Sequence, residues 1–240
     1  MKNKLYTDLS KVCHSFYRLY FPHTTIATVI DKQLKMNKCK RIVFFGGLID
    51  VAKILKRKGY VITFVDYTQE MVNEAKKKLT GVTCLKSDMR DLHLKVKQDA
   101  IVLMGRIMTY MYTDKDVLKA LGAFKKNLKS GGLILIDNYE TGKIGKGNYF
   151  NGQIVVRQNK HIIRRLSKIA KKQAIPTLYM WRCIYQETIG GEKTIFRDDN
   201  HILRSFTKKE MEALIKKSGL HFVKDVSNFE RRSFITIAKS

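Results

Sequence analysis

From Arg41 onward the chain alternates between short apolar runs and stretches whose apolar residues return at helical spacing. Ile42–Phe45, Val61–Val65, Thr83–Lys86, Ala100–Met104 and Leu133–Asp137 have the length and composition of strands. Ala100–Met104 is apolar throughout, as a strand covered on both faces requires. Between these runs, helical patterns extend from about Asp50 to Lys58, Gln69 to Leu79 and Asp114 to Leu128. Gly59, Gly81 and Ser130-Gly131-Gly132 follow them, where a left-handed residue commonly ends a helix. Strands and helices in this order predict a doubly wound α/β sheet of mostly parallel strands.

The flanks read differently. Leu5, Leu9, Val12, Phe16, Leu19 and Tyr20 form an apolar stripe that Pro22 breaks, and a second helix is expected from Thr24 to about Lys35. Beyond residue 140, Gly142, Gly145, Gly147 and Gly152 mark a loop. Alternating segments at roughly 153–158, 161–172, 178–189 and 193–204 predict an antiparallel insertion, with Gly190-Gly191 as a hairpin turn. Thr207 with Glu210 three positions on is a capping-box pattern opening a helix to Ser218, stopped by Gly219. Strands at Leu220–Val226 and Ser233–Ala238 complete the sheet. The expected division is a helical lid over 1–40, a core over 41–142 and 206–240, and a β insertion over 143–205.

Composition narrows the class. No apolar run reaches the roughly 18–20 residues that span a bilayer, and the first residues lack the apolar segment of a secretory signal. A soluble, cytoplasmic protein is the expectation. Cys13, Cys39, Cys84 and Cys183 are far apart, without the paired spacing of a metal site or disulfide framework, and read as buried free thiols. No metal is expected. Lys plus Arg number 47 against 21 Asp plus Glu, a formal charge of +26, which favours anionic partners, nucleic acid among them. Most lysines fall on the wet sides of helices. Arg157 to Lys172 is the exception, a run of cations met by no acidic residue.

Chemistry gathers at consecutive strand ends. The first strand ends in Gly46-Gly47, the second in Asp66, and the third leads into Ser87-Asp88-Met89-Arg90-Asp91. Paired glycines let backbone approach a ligand, and a carboxylate about twenty residues on can accept ribose hydroxyls.

This order resembles the class I S-adenosylmethionine-dependent methyltransferases along nearly the whole chain. Within them it is most similar to small N-methyltransferases acting on nucleotide-linked amino sugars or glycine-like amines. The resemblance implies a Rossmann-like, seven-stranded sheet with N-terminal helices and an antiparallel insertion, and S-adenosylmethionine as cofactor. It implies that Gly46 and Gly47 form the cofactor loop and that Asp66 holds the ribose, with Tyr67 near the adenine. By the same resemblance Asp88 and the Met89 amide meet the adenine edge, Met104 closes the strand that opens onto the methyl group, and Tyr17 belongs to a tyrosine lid with Tyr6 and Tyr20. Tyr110 stands where the amino-sugar relatives carry a histidine, and would orient the acceptor. A phenol of ordinary pKa about 10 is a weak base at neutral pH.

The first motif departs from the family: Val43 replaces its carboxylate and Ile49 its last glycine. A β-branched residue resists positive φ, so an altered loop is expected. Arg106 is an unusual charge beside this strand, facing either an anionic substrate or solvent. His14 and His201, without ligand-type neighbours in sequence, read as structural. Tyr149, Tyr179, Trp181 and Tyr185 are candidate walls of the acceptor site.

The leading function is methyl transfer to a nitrogen or oxygen of a small anionic substrate. An RNA methyltransferase and a non-catalytic homologue acting as a binding protein are the alternatives. A homodimer is compatible with either enzyme.

Overall fold

A computed structural model of the chain describes residues 9–240, the side chains of Ser10 and Asp198 excepted. Leu5 and Tyr6, assigned above to the first helical stripe and the tyrosine lid, lie outside the described residues. Helices α1 (Ser10–Tyr20) and α2 (His23–Met36) precede the alternating part. That part runs β1 (Arg41–Phe45), α3 (Ile49–Arg57), β2 (Val61–Asp66), α4 (Gln69–Lys78), β3 (Thr83–Lys86), β4 (Gln98–Leu103), α5 (Asp114–Asn127) and β5 (Leu128–Tyr139). Strands β6 (Gly152–Gln158), β7 (His161–Gln173), β8 (Leu178–Ile189) and β9 (Glu192–Arg204) form the insertion. Helix α6 (Lys208–Lys217) and strands β10 (His221–Ser227) and β11 (Ser233–Lys239) close the chain.

The main sheet has the order β10-β11-β5-β4-β1-β2-β3. Strands β1 to β5 are parallel to their neighbours, and β11 runs antiparallel to both β5 and β10. β1 shows why its sequence is apolar without a break. Ile42 and Phe44 pack into one core with α2, α3 and α4, while Val43 and Phe45 pack into the opposite core with α5 and α6. Successive residues of a strand point to opposite faces, so a strand with helices on both sides cannot afford a polar position. Helices α4, α5 and α6 each begin at a threonine whose hydroxyl accepts a backbone N–H, a cap contributing about 1 kcal/mol. The Thr207–Glu210 capping box is present in full.

The largest boundary difference from the sequence expectation lies in β5. β5 begins at Leu128, paired with Gln98, rather than at Leu133. The segment at Lys129 to Gly132 stays within the strand as an irregularity, with Gly131 at φ +71°.

A third core joins α1 to the inner face of the β6–β9 sheet. Leu9, Val12, Cys13 and Phe16 of the N-terminal segment pack with Tyr149, Phe150, Trp181, Cys183 and Tyr185. Cys13, Cys39 and Cys183 are buried, Cys84 is half-buried, and all are free thiols. No helix among the described residues is long and apolar enough to cross a membrane.

Arg106 ties the main sheet together where β4, β5 and the β10–β11 turn meet. It does not reach bulk solvent; its side chain is 2% exposed. Its guanidinium pairs with Glu230 and lies 5.0–5.1 Å from the ring centres of Phe21, Tyr139 and Phe229. Its backbone is left-handed, φ +56°, a conformation that costs a non-glycine residue about 1–3 kcal/mol. Hydrogen bonds from the N–H groups of Gly105 (3.1 Å) and Arg106 (2.7 Å) to the Asp137 carboxylate hold that turn. Glu230 also pairs with Arg232. Glu230→Ala should therefore cost about 3–5 kcal/mol, since it strands a buried guanidinium. Chemical denaturation measures this, and a loss under about 1 kcal/mol would mean Asp137 alone neutralises Arg106.

Candidate active site

A cleft opens at the carboxyl ends of β1 and β4. The turn Gly47-Leu48 and the segment Gly105–Ile107 form its floor, Thr109 and Tyr110 one side, and Cys13, His14, Tyr17 and Phe21 the other. Tyr139, Tyr149, Trp181 and Leu203 form the roof. Ligands of open parallel sheets bind at this end because the strand-to-helix turns there expose backbone amides. α3 begins without a side-chain cap at Leu48, so its first N–H groups remain a partial positive charge beside the cleft.

Only one glycine of the first motif needs its conformational freedom. Gly46 has φ +96°, and a Cβ there would lie 2.9 Å from Ile107 Cγ2 and 3.0 Å from the Met104 carbonyl oxygen. Gly47 lies under Met71, whose Cε would be 3.2 Å from an added Cβ. Ile49 is the first residue of α3 and buried, and it has no positive φ. The substitution thus shapes the loop differently from the expectation: the helix absorbs Ile49, and the left-handed residue is Gly46. Val43, in place of the family's carboxylate, is buried in the sheet between Thr63 and Ile101. Asp137 of β5 organises the neighbouring turn instead.

Asp66 and Asp88 stand at adjacent strand ends: Asp66 pairs with Lys86, and its carbonyl accepts from the Ser87 N–H at 2.9 Å. Both lie outside the residues that line the cleft. Asp66 is 7% exposed. Its Oδ1 accepts from the Thr68 N–H (2.8 Å) and hydroxyl (2.9 Å). Burial raises its pKa to about 6, against the opposing effect of the Thr68 bonds. Burial pushes Asp88 up as well, but Arg90 outweighs it and holds the carboxyl below its ordinary value. Arg90 bonds Asp88 at 2.6 Å and Asp116 at 2.8 Å, fixing the loop that carries Met89. Met89 is partly buried against the core beside α5. Tyr67 is 68% exposed. Met104 is buried and meets the glycine turn through its carbonyl.

Of the sequence-predicted residues, Gly47, Tyr17 and Tyr110 line the cleft, with Gly46 and Met104 directly beneath. Asp66, Tyr67, Asp88 and Met89 form an adjoining shelf at β2 and β3. Among the proposed walls, Tyr149 and Trp181 face the cleft, whereas Tyr185 is fully buried and Tyr179 is half-buried in the roof. His201 is not without an acidic neighbour: its Nε2 lies 2.6 Å from Asp199, two positions back on the same strand, both buried. Burial and then Lys78 lower the His14 pKa.

The roof also contains a member of the basic run at Arg157 to Lys172, turned inward. Arg165 is fully buried. Its guanidinium lies 4.4 Å from the Tyr149 ring centre, 4.8 Å from those of Phe16 and Trp181, and 5.9 Å from that of Tyr17. It donates to the Tyr149 carbonyl (2.8 Å) and the Tyr17 hydroxyl (3.3 Å) and pairs with no carboxylate among the described residues. Arg232 stacks on Tyr149 at 4.2 Å. The sequence signal was parity: Ile163, Arg165 and Ser167 share the inward face of β7.

Comparison with known proteins agrees with this fold. Residues 46–132 match the family model described as a methyltransferase domain. The dTDP-3-amino-3,4,6-trideoxy-alpha-D-glucopyranose N,N-dimethyltransferase of Streptomyces venezuelae is 23% identical over 158 residues, 65% of this chain and 64% of that protein. Among solved structures, DesVI of Streptomyces venezuelae superposes with TM-score 0.84 at 18% identity, covering 97% of this chain and 98% of its own. CalS10, an amino pentose methyltransferase from Micromonospora echinaspora solved with S-adenosylmethionine bound, gives TM-score 0.81 at 17% identity over 95% and 96%. The methyltransferase-domain match spans the glycine turn and the next three strands, and along nearly its whole length the chain has the fold of these solved methyltransferases.

Proposed function

We propose that the protein transfers a methyl group from S-adenosylmethionine to an amine of a small anionic substrate held beneath the β6–β9 sheet. The observation that carries the anionic half of this reading is Arg165. A fully buried guanidinium loses several kcal/mol of hydration, and its aromatic neighbours and the Tyr149 carbonyl return only part of it. A negative group entering the cleft would restore the balance, because Tyr17, Tyr149 and Trp181 both enclose Arg165 and line the cleft. The names of the relatives favour an amine on a nucleotide-linked sugar, a substrate class with negative charge.

The residues present fit the cofactor. The close approach at Gly46 and Gly47 leaves the backbone bare, the Asp66 carboxylate at the end of β2 is suited to a ribose hydroxyl, and Asp88 is braced at the next strand end. When bound, S-adenosylmethionine supplies an electrophilic methyl group on a positively charged sulfur. What remains for the protein is alignment and exclusion of water. Tyr17 and Phe21 close one side. Arg165 donates to the Tyr17 oxygen, which leaves the Tyr17 hydroxyl hydrogen for another acceptor. Tyr110, at the end of the Ile107–Tyr110 turn, directs the acceptor nitrogen with its hydroxyl.

Asp66→Ala should weaken S-adenosylhomocysteine binding by about 1–3 kcal/mol, measured by calorimetry. In the unaltered protein the same affinity should fall as pH drops through about 6, where the carboxylate takes up a proton. Asp66→Asn should flatten that dependence, and a pH-dependent Asn variant would place the ribose elsewhere. Arg165→Met should raise KM for an anionic acceptor roughly tenfold, the effect of one charge across a few ångströms of protein. Its melting temperature should change little, because removing a desolvated charge offsets the lost contacts. A large melting loss with unchanged KM would make Arg165 a structural residue. Tyr110→Phe should lower kcat by roughly 10–100-fold while leaving S-adenosylhomocysteine affinity intact; equal losses in both would assign it to cofactor binding.

A further inference from the structure

The end of the main sheet away from the cleft collects positive charge. Strands β1 to β5 start there, and their parallel arrangement brings the last turns of α2, α3, α4 and α5 to the same end. Helix α6 ends there too, because it leads into β10, which is antiparallel to β11 and so runs in the direction of β5. All five last turns are basic: α2 contributes Lys35, and each of the others at least two cations, among them Arg57 in α3, Lys76 in α4, Lys126 in α5 and Lys217 in α6. The first turns of α3 to α6, at the cleft end, carry Asp50, Glu70, Asp114 and Glu210 instead. Charge is thus sorted along the strand direction. Hydrogen bonds join neighbouring helix ends into one surface: Lys56 donates to the Thr80 carbonyl behind α4, and Lys125 to the Gly219 carbonyl behind α6. Lys78 turns to His14 of α1.

A cation in a last turn complements the helix dipole by about 0.3–1 kcal/mol, and one per helix would serve that purpose. The doubled cations exceed it, and so do Lys40, Lys95, Lys97 and Lys129, which reach the same end from outside any helix. Carboxylates offset part of the charge: Lys35 and Lys58 share Asp31, Lys77 pairs with Glu74, Lys129 with Asp99 and Lys216 with Glu212. Arg57, Lys76, Lys126 and Lys217 are exposed and belong to none of those pairs. Seven strands at a spacing of about 4.8 Å give this end a width of roughly 30 Å. A rigid belt of cations on that scale fits the phosphates of a double helix, which carries about one charge per 1.7 Å of axis. The apolar chemistry sets a duplex apart from other polyanions. Single strands are held by aromatic side chains on which bases stack, and bilayer-binding faces carry Trp, Phe or Leu. Near this end the large apolar side chains exposed among the described residues are Met36, Val61, Val96 and Val223, on four different segments and none of them aromatic. Lysine, a point charge without arginine's fork, meets phosphate without reading bases.

We propose that this end of the main sheet binds the phosphate backbone of a nucleic-acid duplex, with the cleft facing away from it. The length of β1 alone puts roughly 16 Å between the two, so the duplex is an anchor and not the methyl acceptor. The test is fluorescence anisotropy of the full chain with labelled duplexes of RNA and of DNA over a range of salt. Binding that falls steeply as salt rises is expected, and the tighter of the two duplexes identifies the natural class. Lys126→Ala with Lys217→Ala should weaken it roughly 50-fold near about 0.1 M salt and lower the salt slope by about 2, as two lost phosphate contacts require. Arg57→Ala with Lys76→Ala should do the same from the other face of the sheet. Lys115→Ala with Lys146→Ala, exposed cations at the cleft end, removes the same charge and should have a much smaller effect. All three pairs sit on the surface and should leave the melting temperature unchanged. Equal losses from the cleft-end pair would overturn the assignment, since the attraction would then be diffuse. Failure to bind either duplex would overturn it too, as would tighter binding of a single strand. So would co-sedimentation with phosphatidylglycerol vesicles through Lys126 and Lys217 in place of duplex binding.

Discussion

The Arg106–Glu230 pair is the contact on which the site depends. It lies where three parts of the main sheet meet, and each part delivers something to the cleft. The β4 end brings the Gly105–Ile107 floor, β5 brings Asp137 and Tyr139, and the β10–β11 turn brings Glu230 and Phe229. Without the pair, a left-handed residue beside the glycine turn would be held only by Asp137, and Ile107 would lose its fixed position against Gly46. A buried pair of this kind contributes little net stability compared with apolar packing. What it contributes here is geometry.

Arginine and tyrosine alternate from that point into the roof. Arg106 faces Tyr139, the Tyr139 and Tyr149 hydroxyls are 3.1 Å apart, and Tyr149 contacts Arg232 and Arg165. Cations against ring faces are favoured, more so when water is excluded, so the series rigidifies the junction between the main sheet and the insertion. Glu230 and Asp137 neutralise its lower part. The upper end, at Arg165, has only rings and a carbonyl, and this asymmetry gives the cleft a positive inner end. Alignment of a neutral nucleophile with a charged sulfur depends on such fixed walls more than on acid–base groups.

The architecture was largely legible in the sequence because burial on both sides of a parallel sheet forces unbroken apolar strands, and glycines punctuate the helices between them. The insertion was legible for the opposite reason: one covered face produces alternation. Legibility ended where long-range pairing decides a side chain's role. What holds Arg106 was not legible, because its partner, Glu230, is 124 residues away. Arg165 was read only as one member of a basic run, although its inward parity set it apart from neighbours that face outward. Asp199 and His201 are two positions apart on one strand face, a spacing that can place side chains in contact, and were read as unrelated. Ile49 shows the reverse: a departure from the motif that looked disruptive is absorbed by the helix.

The chain contains a single tryptophan, and it lies in the roof of the cleft, stacked on Tyr149 with ring centres 5.6 Å apart. Its indole emission therefore originates at one place only, between the aromatic lid and the inner end of the cleft. A ligand displacing solvent there changes the polarity around that ring directly, whereas helices on the far side of the main sheet contribute no signal of the same kind. The molecule carries its own optical reporter, positioned to distinguish events in the cleft from events in the rest of the fold.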